Sequence, residues 1–303
     1  MAAARFPFVQ VDVPEGRVDD IGAQLFVLGA QGVEVRDETT LDRGPGPGQV
    51  RLVATFGTRA GAEAGRQWLG AHEPDLVTVV DELCGDEWRD KYKEHFAPFA
   101  LTPSVTVAPP WDVPEVPPGI CRLVLDPGRA FGTGLHATTA LVAAQLEARA
   151  AAFAGQAVLD VGTGSGILAL LALRLGASAA VGIDTDPEAV AVARENATRN
   201  DLAAAVTLDS GGVDAVAGSF AVVIANIQTA VLVTLADELI GRVQPGGLLL
   251  LSGVLAEEED ELREVYQGAA ARLETPLDHL GTSRRGDGPE DWVALCFGRS
   301  TGS

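Results

Sequence analysis

The residues with the clearest chemical meaning lie in a glycine-rich turn at 162–166, which has the spacing G-x-G-x-G. An apolar strand is predicted before it at 158–161, and an apolar helix after it at 167–175. Because glycines let a ligand approach the backbone and a helix N-terminus offers free N–H groups, this corner is suited to a nucleotide. The dinucleotide fingerprint G-x-G-x-x-G would need a glycine where Ile167 stands, so the spacing favours S-adenosylmethionine over NAD.

Two acids are candidates for contacts with such a ligand. Asp184 ends the next predicted strand, 180–184, where a carboxylate can accept hydrogen bonds from ribose hydroxyls. Asp160 has two interpretations: it orients the amino group of the cofactor's methionine, or it bonds to amides of the turn. Asp186, which precedes Pro187, is interpreted as a helix N-cap.

Uncharged polar residues complete the candidate set. Asn226 ends a predicted strand at 220–226, at the edge of the sheet where ligands of such folds bind, and its carbonyl oxygen can accept a hydrogen bond from an amine. A bond within its own turn is the alternative. Thr139, at the start of a predicted helix at 138–150, can bond to the cofactor. His136 is interpreted either as the cap of that helix or as a candidate proton acceptor.

Alternating strands and helices position these residues. They predict a doubly wound, mainly parallel, seven-stranded Rossmann-like α/β sheet that ends in a hairpin. The order βαββαβ before it predicts a smaller N-terminal α+β ferredoxin-like domain. Further predicted elements are strands 6–13, 32–37, 49–56, 76–83, 205–209, 248–252, 277–283 and 292–298, and helices 17–29, 59–71, 87–95, 187–199, 229–242 and 256–272.

A proline-rich segment divides the chain. Seven of the 17 prolines lie between Pro98 and Pro118, and proline fixes φ and removes a hydrogen-bond donor, which favours a stiff extended linker. The predicted organisation is therefore an N-terminal ferredoxin-like domain at 1–97, a linker at 98–120 and a cofactor-binding domain at 121–303.

Composition limits the partners. The net charge of −20 over 303 residues disfavours nucleic acid and anionic membranes and favours basic partners. The three cysteines are far apart and predict neither a disulfide framework nor a metal site. No signal peptide is apparent, and no apolar run reaches the roughly 18 residues of a membrane span. We therefore expect a cytoplasmic protein, and we predict a monomer.

Taken together, these motifs resemble the ribosomal protein L-eleven methyltransferase family. The G-x-G-x-G turn is generic to methyltransferases, whereas the segment ending in Phe-Gly-Thr-Gly-x-His-x-Thr-Thr is specific. The resemblance covers 122–299, and residues 1–83 match only in layout. Its motifs are Asp126-Pro127-Gly128, Ala130 to Gly134, His136, Thr138-Thr139, Asp160 to Ala169, Gly182 to Pro187, Asn196-Ala197, Arg199-Asn200, Ala225-Asn226-Ile227 and Leu251 to Leu255.

The resemblance implies methyl transfer from S-adenosylmethionine that trimethylates lysine side-chain amines and an N-terminal amine of ribosomal protein L-eleven. The nitrogen attacks the methyl group in line, with Asn226 as the catalytic residue that aligns it. The N-terminal domain would hold the ribosomal protein, and the linker would let that domain swing. The predicted cofactor contacts are Thr139, Gly162, Gly164, Asp184, Asn226, Asp160, Phe131 and Gly132.

Three other interpretations stay open at this point. The same chemistry can act on another substrate, such as lysines of a metabolic flavoprotein. A dehydrogenase is disfavoured by Ile167 and by the terminal hairpin. An RNA-binding ferredoxin-like module is disfavoured because residues 1–97 are acidic and lack the exposed aromatic pair that such modules use.

Overall fold

The computed structural model describes residues 5–36, 48–84, 97–126, 136–285 and 291–301. The chain divides into two compact units, 1–95 and 96–303. Two predicted cofactor contacts, Phe131 and Gly132, lie outside the described residues, as does the predicted helix at 87–95. No helix in these described stretches is long and apolar enough to cross a membrane.

In its described residues, the first unit has a four-stranded antiparallel sheet and two α-helices. Alternate valines of its first strand, Val9, Val11 and Val13, are fully buried, as the period of two in a half-buried strand requires. The strand order β2-β3-β1-β4 is that of a ferredoxin-like fold, so this prediction is confirmed. Its elements are β1 (Arg5–Pro14), α1 (Val18–Val27), β2 (Ala30–Arg36), β3 (Gln49–Phe56), α2 (Arg59–His72) and β4 (Thr78–Cys84).

The second unit contains the predicted seven-stranded sheet, in the order β10-β9-β8-β11-β12-β14-β13. The first five strands are parallel, and the last two form the predicted antiparallel hairpin. The strands are β8 (Ala157–Val161), β9 (Ala179–Asp184), β10 (Val206–Ser210), β11 (Phe220–Asn226), β12 (Val243–Leu255), β13 (Leu277–Arg285) and β14 (Trp292–Arg299).

Helices cover both faces of this sheet, which explains why its central strands β8 and β11 are apolar except for Asp160 and Asn226. In β11 every residue except Asn226 is buried. One face packs against α3 (Ala137–Ala148), a short α4 (Ala150–Phe153), α5 (Ile167–Arg174) and α6 (Pro187–Arg199). The other packs against α7 (Thr229–Thr234), α8 (Ala236–Arg242) and α9 (Glu259–Arg272).

The structure differs from the linker prediction at 98–120. Two strands lie there, β5 (Phe99–Thr102) and β6 (Val105–Ala108), and with β7 (Cys121–Val124) they form a three-stranded sheet. Leu101, Val105 and Val107 are buried in the core of the second unit. The prolines flank these strands, so the apolar alternation between them decides the local structure, and the segment belongs to the second unit.

A smaller difference concerns the helix predicted at 229–242. The structure has two helices there, α7 and α8, because Leu235 departs from helical dihedral angles with φ −93° and ψ 7°. The break lets the chain turn while Leu232 and Leu239 stay buried against the same face of the sheet. Tyr266 of α9, also buried, donates its hydroxyl to the Leu232 carbonyl at 2.9 Å and fixes the end of α7.

Candidate functional site

Three of the predicted site residues lie at or near the carboxyl ends of adjacent strands. Asp160 is the fourth residue of β8, Asp184 ends β9 and Asn226 ends β11, and these strands are neighbours in the order β9-β8-β11. The register pairs Asp160 with Gly182 on one side and with Ile224 on the other. Parallel strands therefore bring these polar side chains to one edge of the sheet, where ligands of such folds bind.

The glycine turn has the backbone that its sequence predicts. Gly162, Gly164 and Gly166 have φ values of 70°, 51° and 82°, in the left-handed region that favours glycine. A Cβ at Gly162 would overlap the Cγ2 of Ile227, so glycine is also required there by close packing. The turn therefore presents backbone atoms without side chains at this edge of the sheet.

Asp160 is buried, with one carboxylate oxygen bonded and the other not. Its Oδ2 accepts hydrogen bonds from the Thr163 hydroxyl at 2.7 Å and the Ala169 N–H at 3.1 Å. Its Oδ1 is buried and has no hydrogen-bond partner among the described residues. Burial raises the pKa of Asp160 to about 6, against the two hydrogen bonds, and the charge of Asp184 adds to the rise.

Asp184 holds the two turns of the site together. Its Oδ2 accepts the Gly164 N–H at 2.9 Å and its Oδ1 accepts the Asp186 N–H at 3.0 Å. Asp186 itself caps α6 by accepting the Glu188 N–H at 2.8 Å, as predicted. Since each carboxylate oxygen has two lone pairs, Asp184 retains the capacity to accept from a ligand.

Asn226 and Thr139 are brought together from β11 and α3. The Asn226 Nδ2 lies 3.5 Å from the Oγ1 of Thr139, and Thr139 is fully buried. The Asn226 Oδ1 is buried and lacks a partner in the described parts of the chain. A second unpartnered acceptor therefore lies at the same edge of the sheet as that of Asp160.

His136 caps α3, which was one of its two predicted roles. Its Nδ1 accepts the Thr138 N–H at 3.4 Å and lies 2.8 Å from the Thr138 hydroxyl oxygen. Its ring also packs edge-on against Trp292 with 4.9 Å between centroids. The Nδ1 atom is therefore engaged in holding the helix that carries Thr139.

Two buried asparagines, Asn196 of α6 and the C-cap residue Asn200, anchor β7, a role that was not predicted from the sequence. The side chain of Asn200 pairs with β7 as a strand would: Oδ1 accepts the Val124 N–H at 2.8 Å and Nδ2 donates to its carbonyl at 2.7 Å. Asn196 donates to the Ser165 carbonyl at 2.9 Å and accepts the Asp126 N–H at 3.1 Å. Their i, i+4 spacing was the available signal, since it puts both amides on one helix face.

Two more residues, Gly253 and Glu258, were not predicted to act at the site, and both contact the segment after Asn226. Gly253 belongs to the motif at 251–255, which does not indicate this contact, and Glu258 belongs to no recognisable motif. Both act through contacts between distant parts of the chain. No group of three or more His, Cys, Asp or Glu side chains that could hold a metal ion occurs within the described ranges.

Comparison with known proteins agrees with this geometry. Residues 6–278 match the family model described as ribosomal protein L11 methyltransferase (PrmA). A ribosomal protein L11 methyltransferase of Sorangium cellulosum (strain So ce56) is 51% identical over 97% of this chain and 96% of its own. One from Myxococcus xanthus (strain DK1622) is 35% identical over 85% of this chain and 89% of its own.

A solved structure leads to the same assignment. The crystal structure of ribosomal protein L11 methylase from Lactobacillus delbrueckii subsp. bulgaricus covers 68% of this chain and all of its own. It superimposes with a TM-score of 0.59 at 28% identity. The match of the family model to most of the sequence, together with these relatives, shows that the chain belongs to the ribosomal protein L11 methyltransferase family.

Proposed function

We propose that the protein transfers methyl groups from S-adenosylmethionine to lysine side-chain and N-terminal amines of ribosomal protein L11. Membership of the family supports the reaction class, and the names of the relatives support the substrate. The observation that carries the proposal is a pair of buried acceptors, Asp160 Oδ1 and Asn226 Oδ1, that have no partners among the described residues. Both are at the edge of the sheet where the glycine turn exposes its backbone.

The residues present fit the proposed cofactor. A buried carboxylate oxygen without a partner is costly, and a cationic amine is the ligand that would offset this cost. Asp160 would therefore hold the amino group of the cofactor's methionine part. Gly162 and Gly164 would bring the backbone close to it, and Asp184 would accept from the ribose.

The chemistry requires a neutral amine held in line with an electrophilic carbon. S-adenosylmethionine supplies that carbon as a methyl group on a sulfonium. A lysine amine has a reference pKa near 10.4 and must lose its proton before it can attack. Burial of the amine at the site lowers its pKa, because desolvation penalises the charged form.

Asn226 would orient that amine. Its Nδ2 lies 3.5 Å from the Thr139 Oγ1, and its Oδ1, buried without a partner among the described residues, would accept from an incoming nitrogen. By accepting an N–H from the amine, Oδ1 would leave the nitrogen lone pair directed at the methyl carbon. Because the Nδ1 of His136 caps α3, we propose that the proton leaves through water and that catalysis is mainly positioning.

Mass spectrometry of purified ribosomal protein L11 tests this function. After incubation with the enzyme and S-adenosylmethionine, we expect mass gains in steps of one CH₂ group, which tandem spectra would assign to lysines and to the N-terminal amine. Parallel incubation with a lysine-containing flavoprotein tests the other substrate. Cofactor binding by calorimetry without any mass gain on L11 would refute the proposed substrate and retain the methyltransferase.

A further inference from the structure

The segment that follows Asn226 is fixed at several points, and we call residues 227–229 the Asn226 support. The Ile227 N–H donates to the Ser252 carbonyl of β12 at 3.1 Å. The side chain of Ile227 packs over Gly162 of the glycine turn. The Thr229 hydroxyl donates to the Glu258 Oε2 at 2.6 Å. The support is therefore attached to the glycine turn, to β12 and to the residues before α9.

Gly253 allows the closest of these contacts. Its φ is +84°, and a Cβ at this position would overlap the carbonyl oxygen of Ile227 and lie 2.8 Å from its carbonyl carbon and 3.1 Å from its nitrogen. These neighbours are backbone atoms, which cannot rotate away as the end of a side chain can. Any side chain at 253 must therefore displace Ile227, and with it the adjoining Asn226.

Glu258 fixes the other end of the support. One carboxylate oxygen, Oε2, accepts both the Thr229 hydroxyl at 2.6 Å and the Leu255 N–H at 3.0 Å. This links the first residue of α7 to the last residue of β12. Because a single oxygen accepts both bonds, a glutamine carbonyl at this position can make the same two contacts.

We propose that Gly253 and Glu258 are positioning residues for methyl transfer. They hold the support so that the amide of Asn226 keeps one orientation toward the amine. The inference rests on the proposed function, since it takes Asn226 as the group that aligns the nitrogen. Their contacts are with the residues that follow Asn226 and with Leu255, so both should act through the orientation of the Asn226 amide and affect turnover more than cofactor affinity.

Gly253→Ala tests the first residue, with Gly246→Ala as its matched control. Gly246 lies in the same strand with φ +78°, and its nearest contact would be the Thr301 side chain at 3.3 Å. The two variants therefore carry similar backbone strain, but only one displaces Ile227. We expect kcat on L11 to fall about 10- to 100-fold in Gly253→Ala alone. We expect the cofactor Kd to change less than about threefold in both variants, because both substitutions should act through the orientation of the Asn226 amide.

Glu258→Ala and Glu258→Gln test the second residue. We expect Glu258→Ala to lower kcat, whereas Glu258→Gln should keep most of the wild-type kcat. A purely structural role would lower the melting temperature without this difference in kcat at 25 °C. Amide hydrogen exchange over 226–232 gives a readout that needs no substrate: exchange should increase in Gly253→Ala and Glu258→Ala, and not in Gly246→Ala.

The outcomes separate this inference from the proposed function. A wild-type enzyme that does not methylate L11 refutes the function, and the exchange measurement then decides whether the support is held as described. An active wild type with equal kcat in Gly253→Ala and Gly246→Ala overturns the inference. Unchanged exchange over 226–232 in Gly253→Ala overturns it as well.

Discussion

Asp160 lies in an environment very different from water, because its side chain is buried. The fold buries its carboxylate and bonds only one of the two oxygens within the described residues, so the charged form is penalised and the pKa rises to about 6. The carboxylate binds its proton more tightly in the folded state than in the unfolded state, where the pKa is near 3.8. Its contribution to stability is therefore complete below about pH 4 and is lost as the pH rises through about 6.

Without bound cofactor, Asp160→Asn should raise the free energy of unfolding at pH 8 by about 2–3 kcal/mol and change it little at pH 4. The amide oxygen can keep the bonds from Thr163 and Ala169, while the buried charge is removed. The new NH₂ group would stand where a cationic amine is expected, so cofactor affinity should fall. Urea denaturation at the two pH values and calorimetry measure these effects.

Asp186→Asn is the control for Asp160→Asn. It changes the net charge by the same amount, but Asp186 is an exposed N-cap, and asparagine caps helices as well as aspartate does. Its unfolding free energy should differ little from wild type at either pH. An equal gain of stability at pH 8 in both variants would trace the effect to net charge and contradict the account of Asp160.

Asn226→Ala should lower kcat about 100-fold and weaken cofactor binding much less. The reason is that the carbonyl oxygen is proposed to meet the amine, and misalignment of a reacting group costs up to about this factor. Single-turnover methylation of L11 and calorimetry of cofactor binding measure the two quantities separately. Equal losses in both would make Asn226 a cofactor contact only.

At the scale of elements, the C-terminal end of α6 anchors β7. Asn200 pairs with both backbone groups of Val124, so Asn200→Ala removes this partner from the N–H and the C=O of a half-buried residue. We expect a loss of about 2–3 kcal/mol in the free energy of unfolding. Thr198→Ala on the same helix is the control, because Thr198 is exposed and bonds only within α6, to the Arg194 carbonyl. Similar losses in both variants would argue against the pairing with β7.

Most elements of the second unit were predictable because local pattern and tertiary environment agree there. β11 is apolar up to its last residue, Asn226, and α5 follows a glycine turn, so burial on both faces of a sheet could be inferred directly. The strands at 99–108 were not predicted, because proline counts outweighed the alternation of Leu101, Val105 and Val107. The break in the helix at Leu235 was not predicted either, because no proline or glycine lies beside it.

The site was predictable to a similar degree. The position of Asp160 and Asn226 at one edge of the sheet could be predicted, because the carboxyl ends of parallel strands meet there and are common places for ligands. The sequence could not predict that each of these two side chains has one oxygen without a partner in the described structure, because this depends on which neighbours the fold supplies. The sequence indicates Gly253 only as part of a motif. Its contact with Ile227 could not be predicted, because it forms between segments that are distant in sequence.

For the whole molecule, the net charge of −20 should govern encounters with a basic protein substrate. Raising the salt concentration from about 0.05 to 0.5 M shortens the screening length severalfold, so the KM for L11 should rise several-fold while kcat stays constant. Steady-state kinetics across this range measures both parameters. A KM that is independent of salt would mean that the charge does not steer the substrate.

The strand order of the large sheet also has a consequence for how the chain folds as it is made. β14 lies between β12 and β13, although both of those precede it in sequence. Until β14 emerges, the edge of β12 is unpaired, and this edge includes the run Leu248 to Leu251. Unpaired apolar strand edges recruit other chains, so nascent or truncated chains that stop before residue 292 should depend on chaperones to avoid aggregation.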